Sequence, residues 1–196
     1  ELFDLATKFN IPVVTTLMGR GAFPDGHELC LEMPGMHGNY TATTSIQKSD
    51  LLIAIGVRFD DRVTANPSFF AQNAKVIHAD IDPAEIGKVR EAQVPIVGDA
   101  KSVILGLINA LGDTKLNTEN WINELNSMKN EFPLSYNQNE NGPLKVPFVL
   151  EELQNLTEEE AIVVSGVGQH QMWISQHWNF TEPNTWLNSG GLGTMG

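Results

Sequence analysis

Apolar residues at positions 2, 3, 5, 6 and 9 fall on one face of a helical wheel, so ELFDLATKFN predicts an amphipathic helix at the start of the chain. The period then changes. IPVVTT (11–16), DLLIAIG (50–56), AKVIHADID (74–82) and VPIVG (94–98) are short runs, β-branched or apolar on both faces. Strands sandwiched between two layers of helices read this way. TATTSIQKS (41–49) predicts a weak helix between the first two of these strands. DPAE (82–85) predicts a helix start, with Asp82 as cap, Pro83 where no donor is needed and Glu85 closing a capping box. Asp99 predicts the cap of AKSVILGLINALG (100–112), whose Val103, Leu107 and Leu111 share a face and whose Gly112 stops it. Alternating strands and helices of this kind give an α/β fold, a doubly wound parallel sheet over residues 1–112, joined by right-handed crossovers.

The pattern loosens in two places. Residues 17–40 are rich in Gly, Pro and Met and have no steady period; a loop this long inside a domain is usually functional. After 112, TENWINELNSMKNEF predicts a helix with a stripe of Trp121, Leu125 and Met128, and PLSYNQNENGPLK reads as a polar connection, so 113–145 is expected to link two units. The second unit, 146–196, starts with VPFVLEELQNL (helix), AIVVSG (strand), QHQMWISQHW (helix) and TWLNSGGLGTMG (strand, then glycine loop). The opening helix lacks a cap and the last glycine loop lacks a following helix, so the chain is expected to be a fragment.

The 24 acidic residues against 12 basic ones give a net charge of −12, which disfavours nucleic acid and anionic membranes as main partners. A small anionic cofactor remains compatible, because local amides and a few arginines outweigh a distant screened field. The apolar runs are far shorter than the ~18 residues that span a bilayer. The single cysteine, Cys30, rules out an internal disulfide and fits a reducing compartment. The run EEE (158–160) reads as a solvated stretch before a strand.

Ligands of open α/β sheets lie beyond the carboxyl ends of the strands. TTLMGRG, GVRFDDRVT, DIDPAE and GDAKS emerge there. Gly56 permits close backbone approach. Arg58 and Arg62 can fork onto phosphate oxygens. Asp80 and Asp99 can accept from ribose hydroxyls or an adenine amino group. GMHGN (35–39) precedes a helix, so its amides could face a pyrophosphate. The four charges Arg58, Asp60, Asp61 and Arg62 would equally serve as surface ion pairs, and His78, inside a strand, reads as a core histidine. The six-position glycine fingerprint of nicotinamide dehydrogenases is missing. In the second unit, SGVGQHQMW and SGGLGTMG put two glycine loops after two strands, a plausible diphosphate cradle. No metal-ligand spacing and no Ser/His/Asp arrangement stands out.

Taken in order, PVVTTLMGRGAFP, MPGMHGNY, QKSDLLIAIGVRFDDRVT, IHADIDPAEIGK and VPIVGDAK resemble the central domain of the acetolactate synthase large, catalytic subunit, and GVGQHQMW and SGGLGTMG resemble the start of its thiamine diphosphate domain. The resemblance implies an enzyme that decarboxylates pyruvate and condenses the remnant with a second 2-keto acid, such as pyruvate or 2-ketobutyrate. The products, 2-acetolactate or 2-aceto-2-hydroxybutyrate, lead to branched-chain amino acids. It implies FAD, not used for net redox chemistry, held by Thr16, Leu17, Met36, His37, Gly38, Gly56, Arg58, Asp60, Arg62, Val63, Asp80, Ile81, Asp99 and Ala100. It implies thiamine diphosphate contacted by Val167, Gly168, Gln169, His170, Gly193 and Met195. Mg2+ is implied beyond Gly196 and the activating glutamate upstream of residue 1, so this chain alone is expected to be inactive. A homodimer or homotetramer, with or without a regulatory small subunit, and the bacterial cytoplasm rather than a plastid or mitochondrion complete the picture. The family's turn continues with a glycine where this chain has Ala65, of no consequence unless that position needs positive φ. Two other readings compete: a non-catalytic flavin- or nucleotide-binding module, and a related thiamine diphosphate enzyme such as a pyruvate oxidase or glyoxylate carboligase.

Overall fold

The computed structural model describes residues 1–139, 141–157 and 161–195; the predicted solvated run 158–160 and the terminal Gly196 lie outside the described residues. The first helix, α1 (Leu2–Phe9), buries Leu5, Ala6 and Phe9 and ends at Asn10 in the left-handed conformation. Helix α2 (Tyr40–Lys48) is capped by Asn39, whose side chain accepts from Ala42 N. It leads into strand β1 (Leu51–Ile55). A single turn of helix, α3 (Asp61–Thr64), follows, and then β2 (Lys75–Asp80), β3 (Val94–Val97) and α4 (Ala100–Leu111). The three strands form a parallel sheet in the order β1-β2-β3.

The sheet is covered on both sides. Ala54 and Val76 pack with Ile46, Phe59, Phe70, Ala71 and Ala74 on the α2 side. Ile55 packs with Leu5, Phe9, Ile104, Leu107, Ile108 and Leu111 on the side of α1 and α4. Adjacent residues 54 and 55 thus serve opposite faces, as strand alternation requires. Asp99 caps α4 through Ser102 N, and Gly112, at φ 56, ends it as the pattern predicts. His78 is 1% exposed, and its Nε2 lies 2.8 Å from the carbonyl oxygen of Val57.

Two predicted elements do not form. Among the described residues, 11–16 make only a single bridge, Val13 with Cys30. Pro12 brings no donor, and Glu32, at φ 63, turns the partner segment away after Thr15 N has bonded its carbonyl. Residues 82–85 open no helix either. Asp80 and Asp82 each accept from an amide two residues on, at 2.9 Å in both cases, and Glu85 pairs with Lys88 instead of closing a capping box. The segment folds as successive turns into Gly87, at φ 75.

Helix α5 (Glu119–Glu131) buries Leu125 and Met128 against Ala42 of α2, so the first half of the predicted connection is docked on the first unit. Helix α6 (Val146–Leu156), strand β4 (Val163–Ser165), helix α7 (Gln169–His177) and strand β5 (Trp186–Asn188) make the second unit. β4 and β5 pair in parallel around a core of Leu150, Trp178, Phe180 and Trp186. No helix among the described residues is long and apolar enough to cross a membrane.

The units meet at residues 15–25. Arg20 and Asp25 form a buried bidentate pair, 2.7 Å on each limb, with side chains 2% and 0% exposed. Asp25 Oδ2 also accepts from Phe180 N of the second unit at 2.7 Å. Burial pushes the Asp25 carboxyl above its ordinary value, against the pull of Arg20 and of the Phe180 N–H.

Candidate functional site

At the carboxyl ends of the first sheet the chain leaves three strands side by side. Gly56 N donates to Ala79 O at 2.8 Å and Gly98 N to Asp80 O at 3.0 Å, which keeps the strand ends level. Between them lies a cavity of about 190 Å³ lined by Gly56, Ala79, Asp80, Ile81, Gly98, Asp99 and Ala100. Gly56 has φ 63, and a Cβ built there would meet nothing within 4 Å, so the backbone faces open space. Asp99 Oδ1 holds Ser102 N and Oγ, and Asp80 Oδ1 holds Asp82 N. One oxygen of each carboxylate therefore shapes the rim, and the other has no hydrogen-bond partner among the described residues.

The charged turn after β1 is held from beneath. Phe59 points inward, 4% exposed, edge-on to Phe70 and His78, and takes φ 53 to do so. That inversion throws Arg58 and Asp60 outward on either side. Asp60 caps α3 through Arg62 N and Val63 N. The pairs Arg58–Asp60 at 3.3 Å and Arg62–Asp61 at 3.6 Å involve guanidinium groups 67% exposed. Such pairs contribute ~0–1 kcal/mol, so a phosphate could displace them readily. The position after the turn does need positive φ: Ala65 sits at φ 52.

The loop 33–39 lies backbone to backbone on this turn. Met36 N donates to Arg62 O at 2.8 Å, and a Cβ on Gly35 would overlap Arg62 O. A Cβ on Gly38 would overlap Met33 O. The expectation that GMHGN amides face a pyrophosphate does not hold for Gly35, Met36, Gly38 and Asn39. Their N–H groups are taken by Thr43 Oγ1 and by the Arg62, Gly35 and Met33 carbonyls respectively, because the loop needs those bonds to fold so tightly. The exposed side chains of Met36 and His37 remain available.

The structure thus brings Gly56, Asp80, Ile81, Asp99 and Ala100 into one cleft, and Met36, His37 and Gly38 beside Asp60, Arg62 and Val63. Arg58 lies on the short segment between the two groups. Thr16 and Leu17 are placed elsewhere: Leu17 O accepts from Trp186 Nε1 at 2.9 Å, and its side chain joins the second unit's core.

In the second unit the two glycine loops touch. Val167 N donates to Thr194 O at 2.7 Å, and Thr194 Oγ1 bonds Ser189 Oγ. Gln169 and His170 open α7 with exposed side chains; Gly193 is left-handed, at φ 66, and Met195 is exposed. Ser165 and Asn188 face each other across β4 and β5, and Gln171 Nε2 holds Asn188 Oδ1 at 2.9 Å. Ser165 Oγ and Asn188 Nδ2 are buried without hydrogen-bond partners among the described residues. Orphaned polar atoms at adjoining strand ends fit a bound polar ligand there. The sequence pattern had passed over these two, although VVSG and WLNSG both end an apolar run on a polar residue before glycine. Phe59, Arg20 and Asp25 carried no such signal.

Comparison with known proteins gives the site a context. The profile described as thiamine pyrophosphate enzyme, central domain, matches residues 1–107, and that of the C-terminal TPP binding domain matches residues 166–196. Acetolactate synthase from Mycobacterium leprae (strain TN) is 55% identical over 200 residues, covering 100% of this chain and 32% of that protein. The acetolactate synthase large subunit of Corynebacterium glutamicum is 52% identical over 199 residues, with the same coverage of each. The chloroplastic acetolactate synthase of Arabidopsis thaliana is 47% identical over 200 residues, 100% of this chain and 30% of that protein. The chain spans about a third of the length of these relatives. With the central-domain match extending over more than half its residues, the chain belongs to the thiamine pyrophosphate enzymes.

Proposed function

We propose that this chain is part of the catalytic subunit of an acetolactate synthase, with residues 1–112 as a flavin-binding domain, 113–145 as the connection and 146–196 as the beginning of the thiamine diphosphate domain. The full-length enzyme would decarboxylate pyruvate and join the remnant to pyruvate or 2-ketobutyrate. The observation that carries this reading is the pairing of two ligand-ready strand ends in one chain. One is the open cleft at Gly56, and the other is the double glycine loop, where Ser165 Oγ and Asn188 Nδ2 have no partner among the described residues. The identity of 47–55% to acetolactate synthases supports this branch over pyruvate oxidase or glyoxylate carboligase. The bacterial relatives, at 52–55% identity against 47% for the chloroplastic one, support a bacterial source; on that reading the enzyme would work in the cytoplasm as a homodimer or homotetramer of catalytic subunits, with or without a regulatory small subunit.

When bound, thiamine diphosphate supplies the electron sink that allows a 2-keto acid to lose carbon dioxide. The residues of this chain would hold and orient it. The amino-terminal amides of α7, with Gln169 and His170, would face its diphosphate, where the helix dipole favours negative charge. Val167, Gly193 and Met195 would line the paired loops, with Gly168 opening the helix, and Mg2+ would accompany the diphosphate. In the first unit, Asp80, Ile81, Asp99 and Ala100 would receive the adenosine end of FAD, Arg58 and Arg62 its phosphates and flavin portion, and Met36, His37 and Gly38 its middle. Thr16 and Leu17, which lie at the junction with the second unit, take no part in this assignment.

The test is the Arg58→Ala plus Arg62→Ala double variant of the full-length protein. It should lose flavin on gel filtration while its apo form melts unchanged, because both guanidinium groups are exposed. Full retention of flavin absorbance would refute the assignment. Product analysis with pyruvate alone, then with 2-ketobutyrate, tests the reaction itself.

A further inference from the structure

We infer that residues 15–40 form a shared wall between the two candidate sites and couple their occupancy, with Asp25 and Gln176 as the positioning residues. The inference rests on the reading above, that FAD and thiamine diphosphate occupy those sites. At one end the wall carries Gly35 and Met36, packed on the backbone of Arg62 and Val63. At the other it is bonded to the second unit. Trp186 Nε1 donates to Leu17 O at 2.9 Å, and Met18 sits where a Cβ on Gly190 would come within 2.7 Å of its sulfur. Asp25 meets Phe180 twice, accepting from its N–H at 2.7 Å and donating its own N–H to the Phe180 carbonyl at 3.1 Å.

This joint is stiff for an electrostatic reason. Arg20 and Asp25 are both buried, so moving Asp25 away from Phe180 N–H would strand a buried donor and weaken a buried ion pair together. There is no slack beside it, since a Cβ on Gly21 would stand 2.7 Å from Glu182 O. Helix α7 closes the circuit. It begins with Gln169 and His170 at the second site, and two turns later Gln176 Nε2 donates to His37 O at 2.7 Å. A ligand that orders Met36–Gly38 therefore fixes the acceptor of Gln176 and with it the rotation of α7. By linkage, a ligand that fixes the start of α7 orders the loop in return.

The experiment uses the full-length apoprotein. Thiamine diphosphate with Mg2+ is titrated, read by tryptophan fluorescence, with and without saturating FAD; FAD is then titrated with and without thiamine diphosphate. In the unmodified protein each cofactor should tighten the other by the same factor, about fivefold or more. Gln176→Ala should bring that factor close to one and leave each separate affinity within about twofold. The Arg20→Met plus Asp25→Leu double variant fills about the same space and removes both buried charges, so its cost is confined to the stranded Phe180 N–H, whereas Asp25→Ala would also leave the Arg20 charge buried and uncompensated. It too should lose the coupling, because Phe180 N–H has lost its acceptor. Independent affinities in the unmodified protein, or full coupling in both variants, overturn the inference alone. A protein that binds no FAD overturns the underlying reading as well.

Discussion

Gly56 and Gly87 offer a matched pair for testing the first cleft. Both have left-handed φ, 63 and 75, and a Cβ on either would meet nothing within 4 Å. They differ in place: Gly56 lines the cavity at the strand ends, and Gly87 does not. Alanine at each should cost the apo fold about 1 kcal/mol, the penalty of a side chain in the left-handed region. Calorimetry should therefore show two similar, small drops in Tm. Only Gly56→Ala adds a methyl where a cofactor would lie against the backbone. Overpacking of this kind costs about 1–3 kcal/mol, which corresponds to roughly 5- to 150-fold in Kd at about 1.4 kcal/mol per decade. FAD binding to the full-length protein, followed by flavin fluorescence, should weaken by that range in Gly56→Ala and stay unchanged in Gly87→Ala. Equal FAD affinity in the two variants would refute the placement of the cofactor, whatever their stabilities.

Further expectations follow from single residues. Ala65→Gly should stabilise the protein by about 1 kcal/mol in chemical denaturation, because φ 52 suits glycine and strains alanine. Phe59→Ala should cost about 3–5 kcal/mol and loosen the charged turn, seen as a lower denaturation midpoint together with weaker flavin retention. Cys30 is 1% exposed, and burial together with the nearby Asp25 carboxylate pushes its thiol up to about 12. Ellman's reagent should leave it unmodified at pH 8 until the protein unfolds. Its raised folded-state pKa also sets a sign for linkage. The contribution of the neutral thiol is complete below about 9 and is lost as pH rises from 9 towards 12, at roughly 1.4 kcal/mol per unit. Cys30→Ala should flatten that part of the stability-versus-pH curve.

The parts legible in the sequence were those that depend on neighbours along the chain. Helix faces such as Leu125 and Met128, the cap at Asp99 and the stop at Gly112 follow from local periodicity and local hydrogen bonding. So does the order of strands and helices that makes a parallel α/β sheet. Local rules misled at 82–85, where two aspartates spend their oxygens on turns, and at 11–16, where Pro12 and the kink at Glu32 limit pairing. They were silent wherever the partner is distant in sequence. Asp25 finds Phe180 155 residues away, and Gln176 finds His37 139 residues away. Ser165 acquires significance only once β5 sets Asn188 beside it. The sequence by itself determined most of the helices, with their caps and stops, and the three strands of the first sheet, because those choices are settled largely by contacts within a turn or two. Only the tertiary structure decided which polar groups share a cleft and which are buried without partners, because desolvation and pairing depend on what the folded chain brings together.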